Sequence, residues 1–327
     1  MLLKLGAAIL AVVAGVGAIA IAIELLRSEP GPVGGSQGTS VASVPTTQPE
    51  IAGGRIPTPT SPGFPSPPPG ALVLAREAGT SALGLAIVPG AAQSLVRVSV
   101  LGGDGSPAAG LDVALTAGKS TTKLPACAAG CYQAEVATST LAGRVTVALG
   151  ASKYGFALPA PLRLPDGTAT VARAGVVWRG LKTLVWHERL AASPTEALNT
   201  VYKAVAPDQL AYTISNRSSA IIIGLRRWDQ PTPTAQWTRS IQDPPVHQPV
   251  PFWAGVSDAR VLGSGVVGGR PVWEITFFDP LTPAWFDAKI DKQNGHTLRL
   301  GMTAVAHFMR HVYGPFNASF RLHPPAA

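Results

Sequence analysis

Cysteine is almost missing from this chain. Its 327 residues include two, Cys127 and Cys131, with three residues between them. That excludes a cysteine-rich zinc or multi-disulfide scaffold. Charge is also sparse, at 13% Asp, Glu, Lys and Arg, and acids are the scarcer sign, 18 against 26 Lys and Arg. An apolar fraction of 46% argues against global disorder. The net charge of +8 is dispersed, with Arg226-Arg227 its densest pair. A nucleic-acid footprint clusters its cations, so no nucleic-acid partner is expected. From Ser28 to Val177 there is no Trp, His or Met, which leaves that stretch without imidazole or thioether ligands.

One long apolar run exists, residues 5–23. As a helix it spans about 28 Å, close to the hydrocarbon thickness of a bilayer and longer than the core of a cleaved signal. Residues 1–27 are therefore expected to be a transmembrane signal anchor. Lys4 precedes the run, so the N-terminus is expected in the cytoplasm, with everything after Arg27 outside it in a single-pass arrangement. Residues 28–70, rich in Pro, Gly, Ser and Thr, read as a disordered tether.

Residues 71–172 carry short alternating runs at 82–88, 95–101, 111–116, 132–137 and 144–149. Turn signals such as Pro89-Gly90 and Gly103-Asp-Gly separate them. This punctuation predicts an Ig-like antiparallel β-sandwich. All seven tryptophans and all six histidines lie at or beyond Trp178. Residues 173–327 open on a predicted helix over 171–184, with Val177, Leu181 and Leu184 on one stripe. Strands follow, ending in a meander: Trp273, Ile275 and Phe277 share a face, Asp291-Lys-Gln-Asn-Gly295 forms a turn, and alternation runs from Leu298 to Phe308. The fold class is thus mainly β: a transmembrane helix, a linker, a sandwich, then an α+β half-barrel of curved antiparallel sheet with a helix.

The meander carries a resemblance. Ile290-Asp-Lys-Gln-Asn-Gly-His-Thr-Leu-Arg299 with Met302-Thr-Ala304, His187-Glu-Arg-Leu190, Ala206-Pro-Asp-Gln-Leu-Ala-Tyr212 and Ile221-Ile-Ile-Gly224 with Arg227-Trp228 resemble the LolA-like lipoprotein-carrier superfamily. That superfamily includes LppX/LprG-type lipid carriers and the sensor domain of RseB. The resemblance implies an incomplete barrel with a cavity for acyl chains. The earlier region, through Ile87-Val-Pro89, Val96-Arg-Val98 and Gly105-Ser-Pro-Ala-Ala-Gly-Leu-Asp-Val-Ala-Leu115, resembles YtkA/FixH-like and more distantly CopC-like domains. It implies a copper context, with a CopD-like membrane transporter as the partner.

Candidate residues divide by chemistry. Trp253 and Trp285, after proline-rich loops, and Leu298, Leu300, Met302 and Phe308, on one alternating face, are the candidate ligand cavity. His307, Met309 and His311 at i, i+2 and i+4 offer imidazole and thioether to copper, and are expected to point away from the 298–308 face. Cys127 and Cys131 are expected to form a disulfide outside the cytoplasm, with a Cu(I) dithiol and free thiols as alternatives. Asp279, Asp287 and Asp291 read as strand-end polar residues. Gly34-Gly-Ser-Gln-Gly38 matches a nucleophile-elbow spacing but has no strand before it or helix after. No enzyme is expected. The leading expectation is a membrane-anchored extracytoplasmic protein that binds or senses an apolar ligand, a lipid or lipopeptide, without a cofactor. Copper handling beside a transporter and a ligand-free interaction scaffold are the alternatives.

Overall fold

The structure, a computed structural model, describes residues 65–193, 196–249, 251–304 and 307–326. The expected membrane anchor and most of the tether lie outside the described residues. Among those described, no helix is long and apolar enough to cross a membrane. The end of the expected tether is ordered against the first unit: Pro65, Pro67 and Pro68 are buried. Arg97 donates to the Ser66 carbonyl at 2.9 Å, and Ser99 to that of Pro65 at 2.7 Å.

Nine strands form the first unit: β1 (Leu72–Ala78), β2 (Ser81–Val88), β3 (Gln93–Leu101), β4 (Val113–Ala117), β5 (Ser120–Lys123), β6 (Ala126–Ala128), β7 (Cys131–Ala137), β8 (Arg144–Leu149) and β9 (Ser152–Ala157). They make two sheets, ordered β1-β2-β3-β7-β6 and β5-β4-β8-β9. Leu85, Val98 and Tyr132 from one sheet meet Leu115, Val147 and Phe156 from the other, which is a sandwich core. Cys127 and Cys131 are disulfide-bonded across the β6–β7 turn. Strand β2 is buried on both faces. Its large residues Leu83, Leu85 and Ile87 fill the sandwich. Its small ones, Ala82, Gly84 and Ala86, alternate to the opposite side, where a second apolar layer packs.

The second unit begins with α1 (Thr168–Arg179). Asp166 accepts from the Thr168 N–H at 2.6 Å at its start, and hydrogen bonds from the Thr168 side chain and backbone hold the Asp166 carboxyl below its usual pKa. The buried stripe is Val171, Ala174, Gly175 and Trp178. The predicted helix over 171–184 is thus corrected in extent and stripe. Gly180 follows its last residue, Leu181 lies in the turn, and Leu184 belongs to the next strand, where β-branched Thr183 and Val185 favour extension.

Eleven strands follow: β10 (Thr183–Ser193), β11 (Glu196–Val205), β12 (Gln209–Ile214), β13 (Ser219–Ile223), β14 (Arg226–Gln230), β15 (Thr238–Ile241), β16 (Ser257–Val267), β17 (Arg270–Asp279), β18 (Ala284–Asp291), β19 (Thr297–Ala304) and β20 (His307–Phe316). They form one antiparallel sheet, ordered β15-β14-β13-β12-β11-β10-β20-β19-β18-β17-β16. Its inner face closes over α1 and over the segment 242–256, whose Phe252 and Trp253 are buried among inner-face side chains. The predicted single run from Leu298 to Phe308 is two strands. Ala304 pairs with His307, so the chain reverses between them and the face alternation restarts.

The two units share an apolar layer. Ala71, Val73, Ala82, Ala86 and Leu101 of the sandwich pack on Phe278, Trp285 and Phe308, which point out from the half-barrel sheet. The sheet is therefore apolar on both faces at its β17–β19 end. Ala191 of β10 joins this layer, and none of the layer's buried residues comes from β11 to β15.

Candidate functional site

Pairing register arranges the inner face as rows that cross the strands. One row runs Leu198, Leu190, Met309, Met302, Phe286 and Phe277, from β11 to β17. The next runs Thr200, Glu188, His311, Leu300, Ala288 and Ile275. A third carries Tyr212, Tyr202, Trp186 and Tyr313. Aromatic contacts tie these rows to the helix and the covering segment: Trp186 stacks on Tyr202 at 4.6 Å, Trp178 meets Tyr313 edge-on at 4.7 Å, and Phe252 meets His311 at 4.3 Å.

A polar chain crosses this apolar surface. Glu188 Oε2 lies 2.7 Å from His311 Nε2, His311 Nδ1 lies 2.6 Å from Tyr313 Oη, and the Tyr202 hydroxyl donates to Glu188 Oε1 at 3.2 Å. All four residues are buried. Burial, reinforced by the Glu188 charge, pushes both tyrosine hydroxyls well above their ordinary pKa, so they stay protonated donors. Two buried indole N–H groups nearby, those of Trp178 and Trp186, have no hydrogen-bond partner. An unpaired donor in an apolar interior costs free energy.

The inner face is less buried at one end. Leu190, Leu198, Ala304 and His307 are half-buried there, beyond the buried rows. Burial lowers the His307 pKa to about 4, with Glu188 opposing the shift and His311 adding to it. His307 is thus a neutral imidazole near pH 7. The covering segment is held by Asp279 at the end of β17. Its carboxylate accepts from the backbone N–H groups of Ala254 at 2.7 Å, Gly255 at 3.0 Å and Leu281 at 2.8 Å, and from the Thr282 hydroxyl at 2.7 Å.

The sequence candidates fall on different faces. Leu300, Met302 and Trp253 lie in the inner cluster, as do Met309 and, by register, His307 and His311. The expectation that His307, Met309 and His311 point away from Leu300 and Met302 is corrected: Met302 pairs with Met309 and Leu300 with His311, and paired residues share a face. Leu298 is buried beside the register shift in the β18–β19 ladder. Trp285 and Phe308 lie on the outer face against the sandwich. Trp273, read with Ile275 and Phe277, is 37% exposed at the sheet end, with Lys292 Nζ 3.7 Å from its ring centre. Glu188, Tyr202, Tyr313 and Phe252 were not legible as a site; 123 residues separate Glu188 from His311, and no spacing rule connects them.

A second concavity of about 300 Å³ lies outside the sheet, where β1 and β9 meet β17–β20. Arg76, Asp287 and Arg310 line it, with Trp285 and the unpartnered Thr276 hydroxyl. Among the described residues no group of three or more His, Cys, Asp or Glu is placed to hold a metal ion.

No protein-family model matches the chain, and no curated protein matches it. Solved structures do. LprF from Mycobacterium bovis aligns over 50% of this chain and 100% of its own, at 8% identity and a TM-score of 0.36. The lipoprotein LppX from Mycobacterium tuberculosis aligns over 47% of this chain and 97% of its own, at 11% identity and a TM-score of 0.34. A LolA superfamily protein from Nitrosomonas europaea aligns over 49% and 96%, at 9% identity and a TM-score of 0.24.

Proposed function

We propose that this chain is a non-catalytic binder of an apolar ligand, a lipid or lipopeptide, held outside the cytoplasm by an N-terminal membrane anchor. The observation that carries the reading is the inner face: cross-strand rows of mostly aromatic and aliphatic side chains, crossed by the Glu188–His311 chain and half-buried at Leu190, Leu198, Ala304 and His307. An acyl chain entering there gains about 0.8 kcal/mol for each CH2 buried, with no covalent step. Phe252 and Trp253 are buried in the interior, and the segment bearing them is fastened through Asp279 rather than through a strand ladder. Ligand entry displaces these two rings. The unpartnered Trp178 and Trp186 donors then meet the ester or amide oxygens of the ligand.

Titration with a fluorescent polyene fatty acid tests this. Wild type binds it saturably, and lipid extraction of protein purified from its host returns an acyl compound. Leu190→Arg with Leu198→Arg, at half-buried positions, abolishes the signal at unchanged circular dichroism. Absent or non-saturable wild-type binding, or equal binding by the variant, sinks the reading.

Copper handling remains a second reading, because the register adds Met302 to His307 and Met309 on one face. Both nitrogens of His311 already have partners, which leaves His307, Met309 and Met302 to hold Cu(I), whose soft character suits thioethers. Cu(I) titration of wild type against Met302→Leu with Met309→Leu decides: identical curves remove these ligands.

A further inference from the structure

The outer face of strands β10 to β15 departs from what a solvated sheet face requires. Alternation should place polar residues there. Instead one cross-strand row reads Val185, Lys203, Ala211, Ile221, Trp228 and Arg239. The next reads Val205, Gln209, Ile223, Arg226 and Ile241. Ile241 is 79% exposed, and Leu225, beside it at the β13–β14 turn, is 54% exposed. Val312 on the adjoining β20 is 48% exposed, between outward-facing His187 and Arg299.

Charge on this face has one sign. Arg189, Lys203, Arg226, Arg239 and Arg299 are exposed on it. Neither row contains an Asp or Glu, nor does the row His187, Val201, Thr213, Ser219 and Gln230. Among the described residues, the carboxylates that do face outward begin on β18 and β17, and each is paired: Asp287 with Arg310 at 3.4 Å and Glu274 with Lys289 at 2.7 Å. Asp229, which pairs with Arg227 at 2.8 Å, sits in an inner-face row. Arg226 lies 5.8 Å from the centre of the Trp228 ring, so cation and indole present together.

We propose that this face docks on an anionic phospholipid surface. Five uncompensated cations over an extended sheet match a layer of lipid phosphates, and Trp228, Ile241 and Leu225 match the boundary between headgroups and acyl chains. The inner-face site is on the other side of the same strands, so this assignment does not rest on ligand binding there.

The test uses the full chain labelled at Ile241→Cys with an environment-sensitive dye, and a second preparation labelled at Lys153→Cys on the sandwich. Vesicles of equal parts phosphatidylcholine and phosphatidylglycerol raise and blue-shift emission at 241 and leave 153 unchanged. Pure phosphatidylcholine vesicles give no response at either position. Arg226→Gln or Arg239→Gln weakens half-saturation about fivefold each. Lys203→Glu, Arg226→Glu and Arg239→Glu together reduce the signal to the phosphatidylcholine level. Arg226→Lys with Arg239→Lys retains it. The response fades toward ~1 M salt, where the screening length is about 3 Å. Equal responses to both vesicle types, no response at 241, or an undiminished response in the triple reversal overturns the proposal. A response to a double-stranded oligonucleotide but not to anionic vesicles would reassign the face to nucleic acid and overturn it too.

Discussion

At position 307 a half-buried imidazole lies at the end of the inner face, and the fold keeps that imidazole neutral near pH 7. An unfolded histidine titrates near 6.5, whereas burial lowers His307 to about 4. Below pH 6.5 the unfolded chain therefore takes up a proton that the folded chain refuses, which stabilises the unfolded state. His307 costs nothing above pH 6.5, costs progressively more as pH falls towards 4, and costs a constant amount below that. Discounted for the part of the ring open to solvent, the loss is on the order of 2 kcal/mol. Urea unfolding of wild type and His307→Asn across this range isolates it. The difference between the two stabilities should change by that amount between pH 6.5 and 4; a constant difference would show that the folded protein protonates His307 as freely as the unfolded chain. Glu188 and Tyr202 meet this site from neighbouring strands, and no local pattern marks either of them as a partner of His311.

Among the elements, β6 is three residues long and exposed throughout, so its ladder to β7 is weak support. The Cys127–Cys131 bridge closes that hairpin. For a loop of this size the constraint on the unfolded chain contributes about 2 kcal/mol. Cys127→Ser with Cys131→Ser should lower the unfolding free energy of the sandwich by that amount, read from the shift of the far-UV transition in urea; an unmoved midpoint would make the bridge dispensable. The elements also show where sequence patterns reach their limit. Strands such as Ser81–Val88 and Arg144–Leu149 were legible because apolar runs end at Gly and Pro turns. The β19–β20 reversal was not, because Thr303-Ala304 and His307-Phe308 flank it without Gly, Pro, Asn or Asp, and alternation reads straight through. That missed turn put Phe308 with Leu300 and turned Met309 away from Met302. The covering segment left a partial trace, since Trp253 after prolines reads as a candidate cavity residue, but its attachment through Asp279 depends on a contact across 25 residues.

At the scale of the whole molecule, the junction between the two units includes one contact that leaves almost no slack. A Cβ on Gly84 would lie 2.4 Å from the Trp285 ring, so the indole lies directly on the backbone of β2. Ala82 and Ala86 flank that position, and Phe278 and Phe308 complete the layer. Backbone bonds reinforce the junction: Gly167 N–H donates to the Ala259 carbonyl at 3.0 Å and Val261 N–H to that of Pro165 at 3.0 Å. The Gly70 N–H also donates to Asp258 Oδ1 at 2.7 Å. A close-packed junction of this kind makes the sandwich and half-barrel unfold together, and tryptophan reports only one of them, since every indole belongs to the second unit. Far-UV circular dichroism, which sees both units, and tryptophan fluorescence should then give coincident transitions for wild type. Gly84→Val forces the indole off β2 and costs about 1–3 kcal/mol of overpacking. Because the cost falls on the shared layer and spares both cores, it should also split the two transitions, the fluorescence midpoint separating from the circular dichroism midpoint. Coincident transitions in the variant, or separate ones already in wild type, would mean that the shared layer does not couple the units.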